Sequence, residues 1–309
     1  DHSMGTYVLR RLLQMIPVII GTTFLIYWMV FSLGDPTVGR CGERPCPQAY
    51  VDRLTAEYHL DRPLPEQYVR YMGKVMTGDL GTSFNGSKVS EQLGTRWPTT
   101  MKLATIAIVF ESLIGIGGGL LAGLRRRSFW DSLVFVTTLL IISIPSFVLG
   151  SVAQMVFGVR LGWFPVTATQ GTWGQLLLPG FVLGSMSMAY VARLTRNSLT
   201  DNLSSDYVRT ARAKGLSPAR IVGVHTFRNS LIPVVTFIGA DFGALMGGAI
   251  VTERIFNIPG IGGYIYHSIV TKDATAVVGT ITLLVLVFLA MNLIVDLLYG
   301  ALDPRISHE

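Results

Sequence analysis

The sequence predicts an all-α membrane protein with six transmembrane helices in one membrane domain. Half of its 309 residues are hydrophobic and only 14% are charged, and mean hydropathy is +0.49. A soluble chain carries about a quarter charged residues. The charges are also clustered, leaving apolar runs at 8–33, 99–124, 131–158, 175–197, 229–252 and 276–300. A transmembrane helix needs ~20 such residues. The runs are continuous rather than alternating, which excludes a transmembrane β-barrel.

Taken in order, residues 1–7 are an N-terminal piece in which Asp1-His2-Ser3, ahead of Met4, read as a cloning scar. Run 8–33 is too long for a signal sequence and has no small-residue cleavage site, so it is a retained span. Pro17 and Gly21 are tolerated there by neighbouring helices, and Tyr27 and Trp28 suit its interfacial end. Segment 34–98 shows helical patterns over 48–58 and 66–75, broken by Pro63 and Pro65. It is too short and too poor in core residues for an independent domain, and is expected to lie on the membrane surface as one or two lateral helices. Cys41 and Cys46 lie in this segment with four residues between them. A disulfide is permitted outside the cytoplasm, two free thiols are the alternative, and no nearby histidine makes a metal site of them. Residues 99–300 form the membrane core, with a loop at 198–228, and 301–309 follow as a tail. Gly115, Gly119 and Gly123 in the second span, and Gly239, Gly243 and Gly247 in the fifth, recur every four residues. Such strips let helix backbones approach closely; packing within the bundle is the plain reading and a gate the sharper one.

Orientation follows from Lys and Arg. Arg10 and Arg11 start the first span, Arg125, Arg126 and Arg127 lie between the second and third, and Arg193, Arg196, Arg209, Arg212, Lys214, Arg220 and Arg228 surround the fourth-to-fifth loop. Segment 34–98 carries eight basic and eight acidic residues and has no bias. Both termini and loops 125–130 and 198–228 are therefore expected in the cytoplasm. The net charge of +6 is a topology signal rather than a nucleic-acid patch.

The most informative stretch is 206–233. Ser205 is placed to N-cap a short helix that Asp206 opens. Arg209, Arg212 and Lys214 fall towards its C-terminal end, and Gly215 suits the position just beyond it. Ser217-Pro218 would open a second helix. Small exposed residues, Thr210, Ala211 and Ala213, would admit a close partner surface, while an ordinary positively charged loop is the plain alternative.

This loop resembles the EAA-type coupling loop of ABC importer permeases. Ala211 and Gly215 match that pattern; Arg209 replaces its Glu, Thr210 its first Ala, and 225–228 its Ile-x-Leu-Pro. These departures are similar to the dipeptide, oligopeptide and nickel permease branch. So are Gly34-Asp35-Pro36, Tyr58-His59-Leu60-Asp61, Gly78-Asp79-Leu80-Gly81-Thr82-Ser83, Ile144-Pro145-Ser146-Phe147, the run 254–262 and Leu302-Asp303-Pro304-Arg305. The likeness is greatest to the first (B-type) permease of a dipeptide system, with a type I, MetI-like architecture. The resemblance implies a heterodimer with a second permease, two ATP-binding subunits carrying ATP and Mg, an extracytoplasmic substrate-binding protein and a bacterial cytoplasmic membrane. It makes Tyr207, Arg209, Thr210, Ala211, Arg212, Ala213, Lys214, Gly215, Leu216 and Ser217 the ATPase-coupling residues. Small peptides are the implied cargo; nickel chelates and haem-like ligands are carried by similar permeases.

The chain itself is expected to bind no cofactor or metal and to catalyse no bond breaking. Residues 81–88 have P-loop-like glycine spacing but lack the Gly-Lys-Ser/Thr end. The histidines are scattered, and no Ser-His-Asp set emerges. Acids within spans are functional candidates: Asp241, beside Gly243 and Gly247, is a pathway or gate candidate, with Glu111 and Asp296 nearer helix ends. Glu253 and Phe256, in the turn-rich run after the fifth span, are the remaining candidates, as part of an external lid, a segment that dips inward, or a plain connection. An ion-driven carrier using Asp241 and Glu111 is the alternative from a different class.

Overall fold

A computed structural model describes residues 2–32, 41–215, 217 and 226–302. The described residues are almost wholly helical, with one isolated β-bridge between Thr82 and Lys88. Contacts divide the chain into two compact units, Asp1–Thr100 with Ile258–Glu309, and Met101–Asn257.

In the first unit, α1 (His2–Phe31) packs along α12 (Ala274–Leu302). Arg11 pairs with Asp296 at 3.1 Å, and the Tyr7 hydroxyl donates to the Asp296 carbonyl. Asp296 is thus answered within the chain. Between these spans lie α2 (Gln48–Tyr58) and α3 (Leu64–Met76), and α11 (Ile261–Val270) precedes α12. Segment 34–98 shares its core with neighbouring helices rather than building one of its own. Tyr50, Leu54, Tyr58, Tyr68, Tyr71 and Val75 join Tyr27 and Phe31 of α1 and Ile261 and Tyr264 of α11 in one buried cluster. Phe31 and Tyr58 lie 4.4 Å apart between ring centres, Tyr27 and Tyr71 5.3 Å. Each such pair adds about 0.5–1.5 kcal/mol beyond its burial. Tyr50, Leu54 and Tyr58 on α2, and Tyr68, Tyr71 and Val75 on α3, recur at three- and four-residue spacing, which turns them to one helix face. Cys41 and Cys46 are joined as a disulfide.

The second apolar run is the middle of a longer helix, α4 (Val89–Leu124). It starts ten residues before the apolar stretch because Val89 and Leu93, one turn apart, are buried in the aromatic cluster. Pro98 lies inside it. Gly81, in the loop before α4, has φ +93°, and a Cβ there would lie 2.7 Å from the Tyr58 hydroxyl and 2.8 Å from Glu57. The loop is held by Glu57, whose Oε1 accepts from Thr82 N–H at 2.8 Å.

The second unit is built around α7 (Trp173–Leu203), which packs against α5 (Phe129–Ser143), α6 (Ser146–Ala153), α9 (Phe227–Gly248) and α10 (Ile250–Ile255). Between α7 and α9 lies the short α8 (Asp206–Ala213). Thr172 caps α7, its hydroxyl accepting from Gln175 N–H. The glycine strip of α4 is a packing surface against α7: a Cβ on Gly119 would lie 2.5 Å from the Ala192 carbonyl oxygen, and one on Gly115 2.8 Å from Val191.

The third apolar run is not one straight helix. Residues 129–143 and 146–160 meet at 104°, and the second arm ends in π-helical Gln154–Arg160. Pro145 supplies no N–H and drives the preceding residue out of helical geometry; Ile144 is extended at φ −88°, ψ 127°. Among the described residues, five helices are long and apolar enough to cross a membrane, six if this bent pair is one span.

Candidate functional site

Helix α8 and its roots form the candidate site. Ser205 has the extended backbone of a cap residue, but its hydroxyl donates back to the Asn202 carbonyl at 2.5 Å and makes no cap bond to α8. The predicted side-chain cap is therefore absent, because α7 ends two residues earlier, at Leu203, and offers its own free carbonyls. Asp206 lies in the first turn of α8 as expected, and Thr210 donates to its carbonyl.

Val208 and Ala211 are buried together, three residues apart on one face. Ala211 was expected on the exposed side; the structure makes it an anchor. Arg209, Thr210, Arg212, Ala213 and Lys214 remain exposed. Only one acid answers these bases within α8, Asp206, at 3.9 Å from Arg209 and fully in solvent. Lys214 closes the helix, and Gly215 follows with its N–H on the Arg212 carbonyl and φ +76°. This is the left-handed position expected of that glycine. Among the described residues nothing lies within 4 Å of a Cβ built there, and the positive φ is what favours glycine. Tyr207 lies on α8 and Ser217 is exposed. Leu216, Pro218 and the expected second helix, with the 225–228 motif up to His225, lie outside the described residues, as do Gly34-Asp35-Pro36 and Asp303-Pro304-Arg305.

Three polar residues that sequence reasoning missed tie the two roots of the loop together. Asn202 at the end of α7 donates to the Ser230 hydroxyl at 3.0 Å, and the Ser198 hydroxyl donates to the Ser230 carbonyl at 3.0 Å. Ser230 in turn donates to the Thr226 carbonyl. Ser198 and Asn202 are four apart and share a helix face; only the partner across space was invisible.

The other candidates do not gather there. Asp241 and Gly243 lie on α9, with Gly243 buried, and Gly247 lies near the end of the same helix. Asp241 faces Glu111 of α4, which is fully buried, without a hydrogen bond of standard geometry between them. Glu253 on α10 and Phe256 just after it are almost fully buried. The Phe256 carbonyl accepts from Ala168 N–H at 2.8 Å, and Gln154 donates to the Ile255 carbonyl. Among the described residues there is no group of three or more His, Cys, Asp or Glu able to hold a metal ion.

These features define a polytopic helical membrane protein whose distinctive element is a small anchored helix between two spans. The chain belongs to the family of binding-protein-dependent transport system inner membrane components: residues 115–308 match that family, and residues 4–104 match its N-terminal membrane-component family. It is 36% identical to the dipeptide transport system permease protein DppB of Alkalihalophilus pseudofirmus and 37% to the di/tripeptide transport system permease protein DppB of Pseudomonas aeruginosa. It is 38% identical to the glutathione transport system permease protein GsiC of Salmonella paratyphi A. Each comparison covers 99% of this chain and all of the relative.

Proposed function

We propose that this chain is the transmembrane permease subunit of an ATP-driven importer that carries small peptides across the bacterial cytoplasmic membrane. The observation that carries the reading is α8: a helix anchored by Val208 and Ala211, with a basic exposed face and both roots clamped through Ser198, Asn202 and Ser230. ATP-binding subunits, which hold ATP and Mg, dock on this face from the cytoplasm. Closure of those subunits pushes α8, and the clamp passes the displacement to α7 and α9 together rather than to one helix alone. A second, similar permease completes the pathway, and an extracytoplasmic binding protein delivers the cargo. Both termini are cytoplasmic. Bond breaking belongs to the ATP-binding subunits, and this chain supplies the moving walls.

Peptides as cargo are supported by the names of the full-length relatives. A second reading, the tripeptide glutathione, is favoured by length. The comparison with GsiC spans 308 positions, against 334 for DppB and 309 residues in this chain. Purified transporter, assembled with its second permease, ATP-binding subunits and binding protein in proteoliposomes, tests both. ATP-dependent uptake of labelled dipeptide or glutathione is expected, each competed by the better cargo. Uptake of nickel chelate or haem alone would overturn the peptide reading. Uptake by this chain alone, insensitive to ATP removal, would overturn the importer reading.

A further inference from the structure

A cleft of about 490 Å³ lies between α5 and α7 in the second unit, lined by Asp131, Ser132, Phe135, Thr138, Arg193 and Arg196 among others. Its charges do not balance. Arg196 is taken by Asp131 in a two-pronged pair, Nε to Oδ1 at 3.1 Å and Nη2 to Oδ2 at 3.0 Å. Asp131 also accepts from Arg127 N–H, so both of its oxygens are engaged. That leaves the positive charge of Arg193. Its Nε donates to the Thr138 hydroxyl at 3.1 Å, and its guanidinium lies 5.1 Å from the Phe135 ring centre. Its Nη2 is buried and has no hydrogen-bond partner. A buried guanidinium donor without an acceptor is expensive, and its best acceptor is a phosphate or carboxylate oxygen.

The surroundings select between anions. The outward face of α5 is apolar and exposed, with Phe135, Val136, Leu139 and Leu140 all open. Phe129 and Trp130 stand exposed at the head of the helix, where amphipathic rings sit at a membrane interface. Arg125, Arg126 and Arg127 lie in the adjoining turn, all exposed. Apolar wall, aromatic rim and basic floor together fit an amphiphile. Basic pockets between transmembrane helices on the cytoplasmic side take anionic lipid head groups.

We propose that the α5–α7 cleft binds the phosphate of an anionic phospholipid from the cytoplasmic leaflet, with Arg193 as its principal ligand. The leaflet rests on the orientation given under the proposed function; the chemistry of the cleft does not.

Native mass spectrometry of the assembled transporter, exchanged with equal amounts of phosphatidylglycerol and phosphatidylcholine, tests it. The wild-type complex is expected to retain phosphatidylglycerol preferentially. Arg193→Gln, which keeps a donor for Thr138, should retain it about tenfold less, equivalent to ~1.4 kcal/mol, with Arg193→Lys between the two. Equal retention by wild type and Arg193→Gln, or no preference between the lipids, overturns the proposal. Displacement of phosphatidylglycerol by inorganic phosphate at equal concentration overturns the lipid as source. Should Arg193→Gln fail to assemble, a photoreactive side chain at Val136 decides. Cross-linking to phosphatidylglycerol supports the site, and cross-linking to protein alone overturns it. None of these readouts uses transport, so a wrong cargo leaves them intact. Labelling of a cysteine at Arg126 from either side of the membrane checks the leaflet separately.

Discussion

Replacing Gly119 by alanine should separate two helices that the native chain holds in backbone contact. The added Cβ would lie 2.5 Å from the Ala192 carbonyl oxygen and 2.5 Å from the Thr195 Cβ. Carbon contacts are comfortable at about 3.5–4.0 Å, so α4 and α7 must part by ~1 Å at this level. Neither obstacle is the free end of a flexible side chain: one is α7 backbone, the other a β-branched stem. Overpacking of this kind costs about 1–3 kcal/mol. Alanine is the better helix former by at most about 1 kcal/mol, so the net effect is destabilising. Gly118 supplies the control, because a Cβ there meets nothing within 4 Å. Thermal unfolding of the two purified variants in the same detergent should show Gly119→Ala less stable than wild type and Gly118→Ala equal to it or slightly more stable. Equal stability of the two variants would refute the claim that close backbone approach, rather than a general need for glycine in α4, explains the strip.

Two further outcomes follow from the loop and from segment 41–98. Gly215→Glu should insert normally but fail to co-purify with the ATP-binding subunits, whereas Gly215→Asn, which tolerates positive φ, should retain binding; normal co-purification and transport by the Glu variant would count against a coupling role. Burial raises the Glu57 carboxyl above its ordinary value, partly offset by the Thr82 N–H, Lys74 and Arg53. Its folded form therefore holds a proton more tightly than the unfolded chain. The corresponding stability is present at low pH and lost as pH rises through the raised value. Glu57→Gln keeps an acceptor for Thr82 N–H, so it should flatten the fall in melting temperature as pH rises above the ordinary carboxylate range. A steeper profile in the variant would contradict this.

Much of the membrane fold was legible because the bilayer imposes a simple rule: long apolar runs must be helices. Runs 175–197 and 276–300 lie within α7 and α12, and run 8–33 is followed by α1 as far as Phe31. The bend at Ile144-Pro145 was written in the sequence but outvoted by hydropathy, which is blind to a missing N–H. The early start of α4 was missed for the same reason: Val89 and Leu93 are too few to register as apolar, yet each is buried. In the site, α8 and Gly215 were legible because helix ends and turns act through local backbone geometry, although the Ser205 side chain does not cap α8. Which face of α8 is buried was not, since eight residues with two apolar positions leave the choice to whatever packs beneath.

By itself, then, the sequence determined that this chain is a helical membrane protein, where its spans run and where its small helix begins and ends. Those features follow from hydrophobicity and local backbone preference, which act within a few residues. Only the tertiary structure decided that the tyrosines of α2 and α3 make a core, that Ser198 and Asn202 clamp Ser230, and that Arg193 is left without an acid while Arg196 takes Asp131. Each of these depends on atoms brought together across tens to hundreds of residues, and no spacing rule within one helix encodes which partner arrives.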